Sequence, residues 1–176
     1  MRIEREHTVA LVIDYQEKLV PAMNDKEQLI RNSCILLEGL KILDVPMFVT
    51  QQYTKGLGMT IEDILKAVGT EEYIEKISFS AYESVKDMLS GKKYAIVCGI
   101  ESHICVLQTV VDLQAAGFVP VLVEDCISSR KENDKKIALE RAMQEGAIVT
   151  TYESLLFELL KAAGSETSKQ IQKLIR

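Results

Sequence analysis

The 176-residue chain has no tryptophan, only two histidines and three prolines, and no excess of positive charge. Its 21 basic and 26 acidic residues give a net charge of −5, which argues against nucleic acid as a partner. No apolar run approaches the ~18 residues of a membrane span, so no membrane association is expected. The four cysteines, Cys34, Cys98, Cys105 and Cys126, form no C-x-x-C pair, so neither a zinc site nor a redox dithiol is written here. The stretch from Met1 to His7 is short and charged, unlike a secretory leader. Reduced thiols and no leader predict a cytoplasmic protein. With His7 and His103 as the sole imidazoles, an octahedral or zinc centre cannot be assembled, and neither metal nor cofactor is expected.

What is present is a regular alternation. The length predicts one domain, spanning residues 1–176. It also allows a core that needs no disulfide or metal, because a chain of this size buries roughly 70% of its unfolded surface. Thr8–Ile13 (TVALVI) is apolar and β-branched without polar alternation, the pattern of a strand buried on both faces. Pro46–Thr50, Tyr94–Cys98, Val119–Val123 and Ala147–Thr150 read the same way, and Glu72–Ile77 is a weaker sixth strand. Helical spacing fills the intervals, at Lys26–Leu43, Ile61–Val68, Tyr82–Leu89, Ile104–Ala116, Asn133–Glu145, Ser154–Ala162 and Ser168–Ile175. Gly91, Gly117 and Gly146 stand just past three of these helices, where glycine ends a helix cheaply. Repeated strand–helix units imply an α/β fold, a parallel sheet with helices on both faces. Gln51–Thr60 is the one irregular stretch expected.

Ligands of open α/β sheets sit beyond the carboxyl ends of the strands, where strand order reverses. Asp14 directly follows the first buried run. Lys76 ends the weak strand. Cys105 lies where the fourth strand turns into a helix, in Gly99-Ile100-Glu101-Ser102-His103-Ile104-Cys105. A thiol in a first helical turn meets the positive end of the macrodipole, and a nearby ammonium favours thiolate further. From ~8.5, a shift of about two units, worth roughly 2.7 kcal/mol, would ionise most of it at neutral pH. A carboxylate can take the thiol proton and later return it to a leaving group. His103 stands two residues from Cys105, and residues so spaced do not face each other on a helix. Cys34, Cys98 and Cys126 lack such a setting and read as inert thiols. Ser128-Ser129-Arg130 reads as a helix cap or subunit contact, and Lys131–Lys136 as a solvated face.

These residues resemble those of the isochorismatase-like cysteine hydrolases along nearly the whole chain. The likeness is carried by Leu11-Val12-Ile13-Asp14-Tyr15-Gln16, Lys76-Ile77-Ser78-Phe79-Ser80 and Gly99-Ile100-Glu101-Ser102-His103-Ile104-Cys105-Val106. Within that superfamily the chain is most similar to the isochorismatase domain-containing proteins, through Gln52-Tyr53-Thr54-Lys55-Gly56-Leu57-Gly58 and Asp125-Cys126-Ile127-Ser128-Ser129-Arg130. The resemblance implies a three-layer sandwich with a six-stranded parallel sheet of order 3-2-1-4-5-6. It implies a catalytic triad of Asp14, Lys76 and Cys105, and a non-proline cis peptide before Glu101 that turns an N–H into the site. The backbone N–H groups of Glu101 and Cys105 would then form the oxyanion hole. Nicotinamidases of the superfamily carry an Asp-x-His motif after strand two, where this chain reads Thr50-Gln51-Gln52-Tyr53, and no metal is implied.

Gln16, Gln51, Tyr53, Phe79 and Tyr82 are the expected lining of a pocket for a small-molecule substrate. The expected reaction is metal-independent hydrolysis of a C–N (amide) bond through a thioester. Two alternatives stay open: isochorismatase-type vinyl-ether hydrolysis, which needs an acid but no thiol, and a largely non-catalytic interaction domain. Apolar helix faces beyond what one sheet can cover, and the habit of the family, predict a homo-oligomer.

Overall fold

The computed structural model describes residues 1–176, and its central strand β1 (Thr8–Ile13) is buried at every position. Val9, Leu11 and Ile13 pack on one face of the sheet, Ala10 and Val12 on the other. That is the alternation expected of a strand covered on both sides. Helix α1 (Lys26–Ile42) returns the chain to β2 (Met47–Gln52). Two short helices, α2 (Thr54–Leu57) and α3 (Glu62–Val68), lead to the edge strand β3 (Ile74–Lys76). Helix α4 (Tyr82–Val85) and a 3-10 turn (Lys86–Leu89) precede β4 (Tyr94–Ile100). A π-helical turn (Ser102–Val106) runs into α5 (Leu107–Ala115), followed by β5 (Val119–Ser128) and α6 (Glu132–Gln144). The chain ends with β6 (Ile148–Thr150), α7 (Tyr152–Leu160) and α8 (Glu166–Ile175).

All strands are parallel, in the order β3-β2-β1-β4-β5-β6. The α/β fold expected from the sequence pattern and the strand order implied by the resemblance are those observed. Leu36, Leu37 and Leu40 of α1, Ile64 of α3, Leu155, Leu156 and Leu159 of α7 and Ile171 of α8 fill the larger core. Val85 of α4, Val110 and Leu113 of α5 and Ala142 of α6 cover the other face. Gly117 closes α5 at φ +88°.

Most element ends shift by one to two residues from the sequence expectation, and four differences go further. β5 runs five residues past Val123, through Glu124 and Asp125, because β4 offers partners beyond a bulge: Gly99 pairs with Ile127 and Ile100 with Ser128. Polar side chains hid that extension. The irregular stretch 51–60 contains α2, which Tyr53 initiates from left-handed backbone at φ +39°. The expected helix Tyr82–Leu89 changes to 3-10 geometry after Val85. The expected helix Ile104–Ala116 starts as a π-helical turn, a feature frequent at functional sites.

Strand order reverses between β1 and β4, so their carboxyl ends open a crevice there. Ile13 and Gly99 are register partners at that point. A Cβ on Gly99, at φ +134°, would lie 2.1 Å from the Ile13 carbonyl oxygen. Only glycine lets the two strand ends approach this closely.

Candidate active site

Asp14 leaves β1 in left-handed backbone at φ +55°, a conformation aspartate tolerates better than most residues. Its N–H donates to Thr50 O at 3.2 Å. Its Oδ1 accepts from Thr50 Oγ1 at 2.8 Å. Its Oδ2 stands 2.7 Å from Lys76 Nζ, and neither side chain is exposed to solvent. Oδ2 accepts no hydrogen bond of good geometry, so part of its capacity is unused.

A buried ion pair stabilises only when further hydrogen bonds offset desolvation. Lys76 has them. Its ammonium donates to Gln52 Oε1 at 2.8 Å, to Phe79 O at 2.8 Å and to Ser78 O at 3.2 Å. Gln52 Nε2 in turn donates to Ile77 O at 2.6 Å. The segment Ile77–Phe79 thus turns its carbonyls inward, and its side chains go outward: Ile77 is 71% and Phe79 52% exposed.

Cys105 sits in the π-helical turn, 6% exposed. Burial pushes its thiol up to about 12; the Asp14 carboxylate acts in the same direction and the Lys76 ammonium opposes both. This differs from the expected thiolate. The charge of Lys76 is already matched by Asp14, so desolvation decides, and the resting sulfur keeps its proton. Asp14 and Lys76 nevertheless meet in one buried place, and both act electrostatically on the Cys105 thiol.

The Ile100–Glu101 peptide is cis. The Glu101 N–H donates to no acceptor in the chain, whereas the N–H groups of Ile104 and Val106 both donate to Glu101 O. The Glu101 carboxylate is held by the Arg130 N–H and Nε, each at 3.1 Å. Both ring nitrogens of His103 are directed to partners other than the sulfur. Its Nδ1 shares a hydrogen bond with Ser129 Oγ at 2.8 Å, and its Nε2 is 3.8 Å from Asp134 Oδ2.

The expected lining residues are placed unequally. Tyr53 and Phe79 are half exposed on the rim. Tyr82 packs against the smaller core, its ring 6.4 Å from that of Phe118. Gln16 is buried, its amide donating to Gln52 O and Gly58 O and accepting from Gln52 N. Gln51 is buried too, bonded to Thr54 and to both the N–H and hydroxyl of Thr60. Both glutamines spend their polar atoms on the 52–60 segment. Adjacent strand residues face opposite sides, and Gln52, the register partner of Lys76, is the one that meets the ammonium. Sequence reading missed Gln52 and Thr50. The cue was that β2 alternates, with Phe48 toward the smaller core and Val49 in the larger, which sets even positions on the cysteine side.

Cys126 and Cys98 lie beneath the sheet ends, fully buried, and burial raises both thiols. A cavity of about 550 Å³ opens elsewhere, between Asn24, Asp25 and Asn32, the end of β5 and the start of α6. None of the residues named above for the thiol site lines it. No three His, Cys, Asp or Glu side chains are grouped to hold a metal ion. No helix is long and apolar enough to cross a membrane.

A family model described as the isochorismatase domain matches residues 8–154, a span that includes Asp14, Lys76 and Cys105. The chain belongs to the isochorismatase family. Among curated family relatives, isochorismatase domain-containing protein 2A of Mus musculus is 35% identical over 99% of this chain and 85% of its own. A secreted isochorismatase effector of Phytophthora sojae is 33% identical over 99% of this chain and 87% of its own. The solved structure of MAR1 ribonuclease from Caenorhabditis elegans superposes with a TM-score of 0.93 at 34% identity, covering 99% of this chain and 92% of that one. Membership supports a hydrolase; the relatives' names differ in what they imply about substrate and compartment.

Proposed function

We propose that this isochorismatase-family chain is a metal-independent hydrolase in which Cys105 attacks the carbonyl carbon of a small amide. The observation that carries the reading is the solvent-free Asp14–Lys76 pair, whose carboxylate and ammonium both act on the buried Cys105 thiol. As the S–C bond forms, the thiol proton passes to Asp14 and the carbonyl π electrons move to oxygen. The oxyanion rests on the free Glu101 N–H and on Cys105 N–H. When the oxyanion collapses, the C–N bond breaks and Asp14 protonates the departing amine, leaving a thioester. Water then attacks the thioester, giving a proton to Asp14, and the released sulfur recovers that proton. Lys76 holds Asp14 oriented between the two halves.

A neutral resting thiol fits this scheme, because a single carboxylate moves the same proton at each step. The substrate is a small molecule and the working form a homo-oligomer in the cytoplasm; exposed Ile77, Phe79, Ile137 and Phe157 give apolar surface for self-association. The test is turnover of a panel of small amides and ureas by the native chain and by Cys105→Ser. Turnover lost in the variant supports the reading; turnover unaffected by it contradicts it. The family match favours a second reading, vinyl-ether hydrolysis, in which pyruvate release from isochorismate would survive Cys105→Ser. The name of the nematode relative adds RNA to the panel.

A further inference from the structure

The lysine and the thiol reach the site on separate segments, and one buried hydroxyl joins those segments. Thr109, in α5 and fully buried, accepts the Ala81 N–H at 2.9 Å and donates to the carbonyl oxygen of Cys105 itself at 2.7 Å. Ala81 ends the segment whose Ser78 and Phe79 carbonyls hold the Lys76 ammonium. The path from ammonium to thiol therefore runs Lys76, the 78–81 backbone, Thr109 Oγ1, Cys105.

From this geometry we infer that Thr109 is a positioning residue, whose hydroxyl fixes the distance between the Asp14–Lys76 pair and the Cys105 sulfur. A threonine hydroxyl bonded to the carbonyl four residues back is common in helices and tends to bend them. Here the same oxygen also accepts a hydrogen bond from another segment, so both of its hydrogen-bonding roles are used and its rotamer is locked. The Cys105 carbonyl it grips belongs to the π-helical turn, where helical hydrogen bonding is least regular. The methyl group of Thr109 would serve packing alone; the hydroxyl serves the site. A displacement of about 1 Å between reacting groups costs up to ~100-fold in rate, so losing this link registers in the chemistry of the sulfur before it registers in the fold.

The inference rests on Cys105 being the nucleophile. The experiment measures iodoacetamide alkylation of Cys105 by mass spectrometry at pH 7 in the native chain, Thr109→Val, Thr109→Ser and Thr109→Ala, with circular dichroism as the check of folding. Thr109→Val keeps the shape without the hydroxyl and is expected to label about 10- to 100-fold more slowly than native. Thr109→Ser keeps the hydroxyl and is expected to label within about threefold of native. If Thr109→Val does not fold, Thr109→Ala takes its place under the same criterion. Labelling of the valine or alanine variant within threefold of native overturns the inference, and so does a serine variant as slow as the valine. A native chain whose Cys105 labels no faster than its buried Cys98, a thiol that burial raises to the same about 12, overturns the nucleophile reading, and this inference with it; an altered ranking among variants of a native chain that passes this comparison concerns Thr109 alone.

Discussion

Lys76→Met is the substitution whose cost the structure determines best. Methionine matches the length of the lysine stem but removes an ammonium that stands 2.7 Å from Asp14 Oδ2 with both side chains shut off from water. Breaking a buried pair by removing one partner costs about 3–5 kcal/mol, because the remaining charge is left uncompensated. The carbonyls of Ser78 and Phe79 lose a donor too, but their segment lies at the rim with Phe79 half exposed, so water can replace it. The net expectation stays at about 3–5 kcal/mol. For a chain of this size each kcal/mol moves Tm by roughly 2–4 °C, which gives a fall of about 6–20 °C, read by calorimetry at pH 7. Asp14→Asn combined with Lys76→Met removes both charges, and its loss is expected to be smaller than the sum of the single losses by about 1–3 kcal/mol. A Lys76→Met protein within about 1 kcal/mol of native, or strict additivity in the double variant, would refute the desolvated pair.

Gly99→Ala places a methyl 2.1 Å from the Ile13 carbonyl oxygen at φ +134°. Its destabilisation in urea titrations is expected to exceed the ~1–3 kcal/mol of ordinary overpacking, since the obstacle is backbone. Alkaline pH is expected to weaken the fold. The thiols of Cys34, Cys98 and Cys105 are raised by burial to about 11, 12 and 12, whereas unfolded thiols ionise near ~8.5. The unfolded chain thus loses protons that the folded chain keeps, so stability is full below pH ~8.5 and falls from there toward about pH 12; Cys98→Ala should flatten that fall in a Tm-against-pH series. Arg130→Ala is expected to cost under ~1 kcal/mol, because the Arg130 side chain is 59% exposed and the backbone N–H of residue 130 still holds Glu101. Glu101→Ala releases that anchor too and is expected to slow Cys105 alkylation severalfold.

The fold was legible because β1, β4 and the first half of β5 are buried on both faces, which leaves continuous apolar runs and no ambiguity about parallel pairing. The same logic failed at Glu124–Ser128, where strand geometry persists under polar side chains because β4 supplies the pairing. Asp14, Lys76 and Cys105 stood out as chemistry-bearing residues at strand ends. The residues that hold them, Thr50, Gln52 and Thr109, are ordinary polar residues whose importance lies in register and in one hydrogen bond each way. Sequence spacing carries no record of such contacts between distant segments. The expected thiolate differs from the protonated thiol for a related reason: in the sequence Lys76 reads as a free charge, while the fold pairs it with Asp14.

Whether Asp14 receives the Cys105 proton during attack is read directly from the pH dependence of iodoacetamide alkylation at Cys105, from pH 6 to pH 9, in the native chain and in the double variant Asp14→Asn, Lys76→Met, which removes both charges beside the thiol. The native rate is expected to change little across the neutral range, because the carboxylate takes the proton, while the rate in the double variant climbs about tenfold per pH unit, as for an isolated thiol whose pKa burial has raised. A native rate that itself climbs tenfold per unit, indistinguishable from the double variant, would contradict the account.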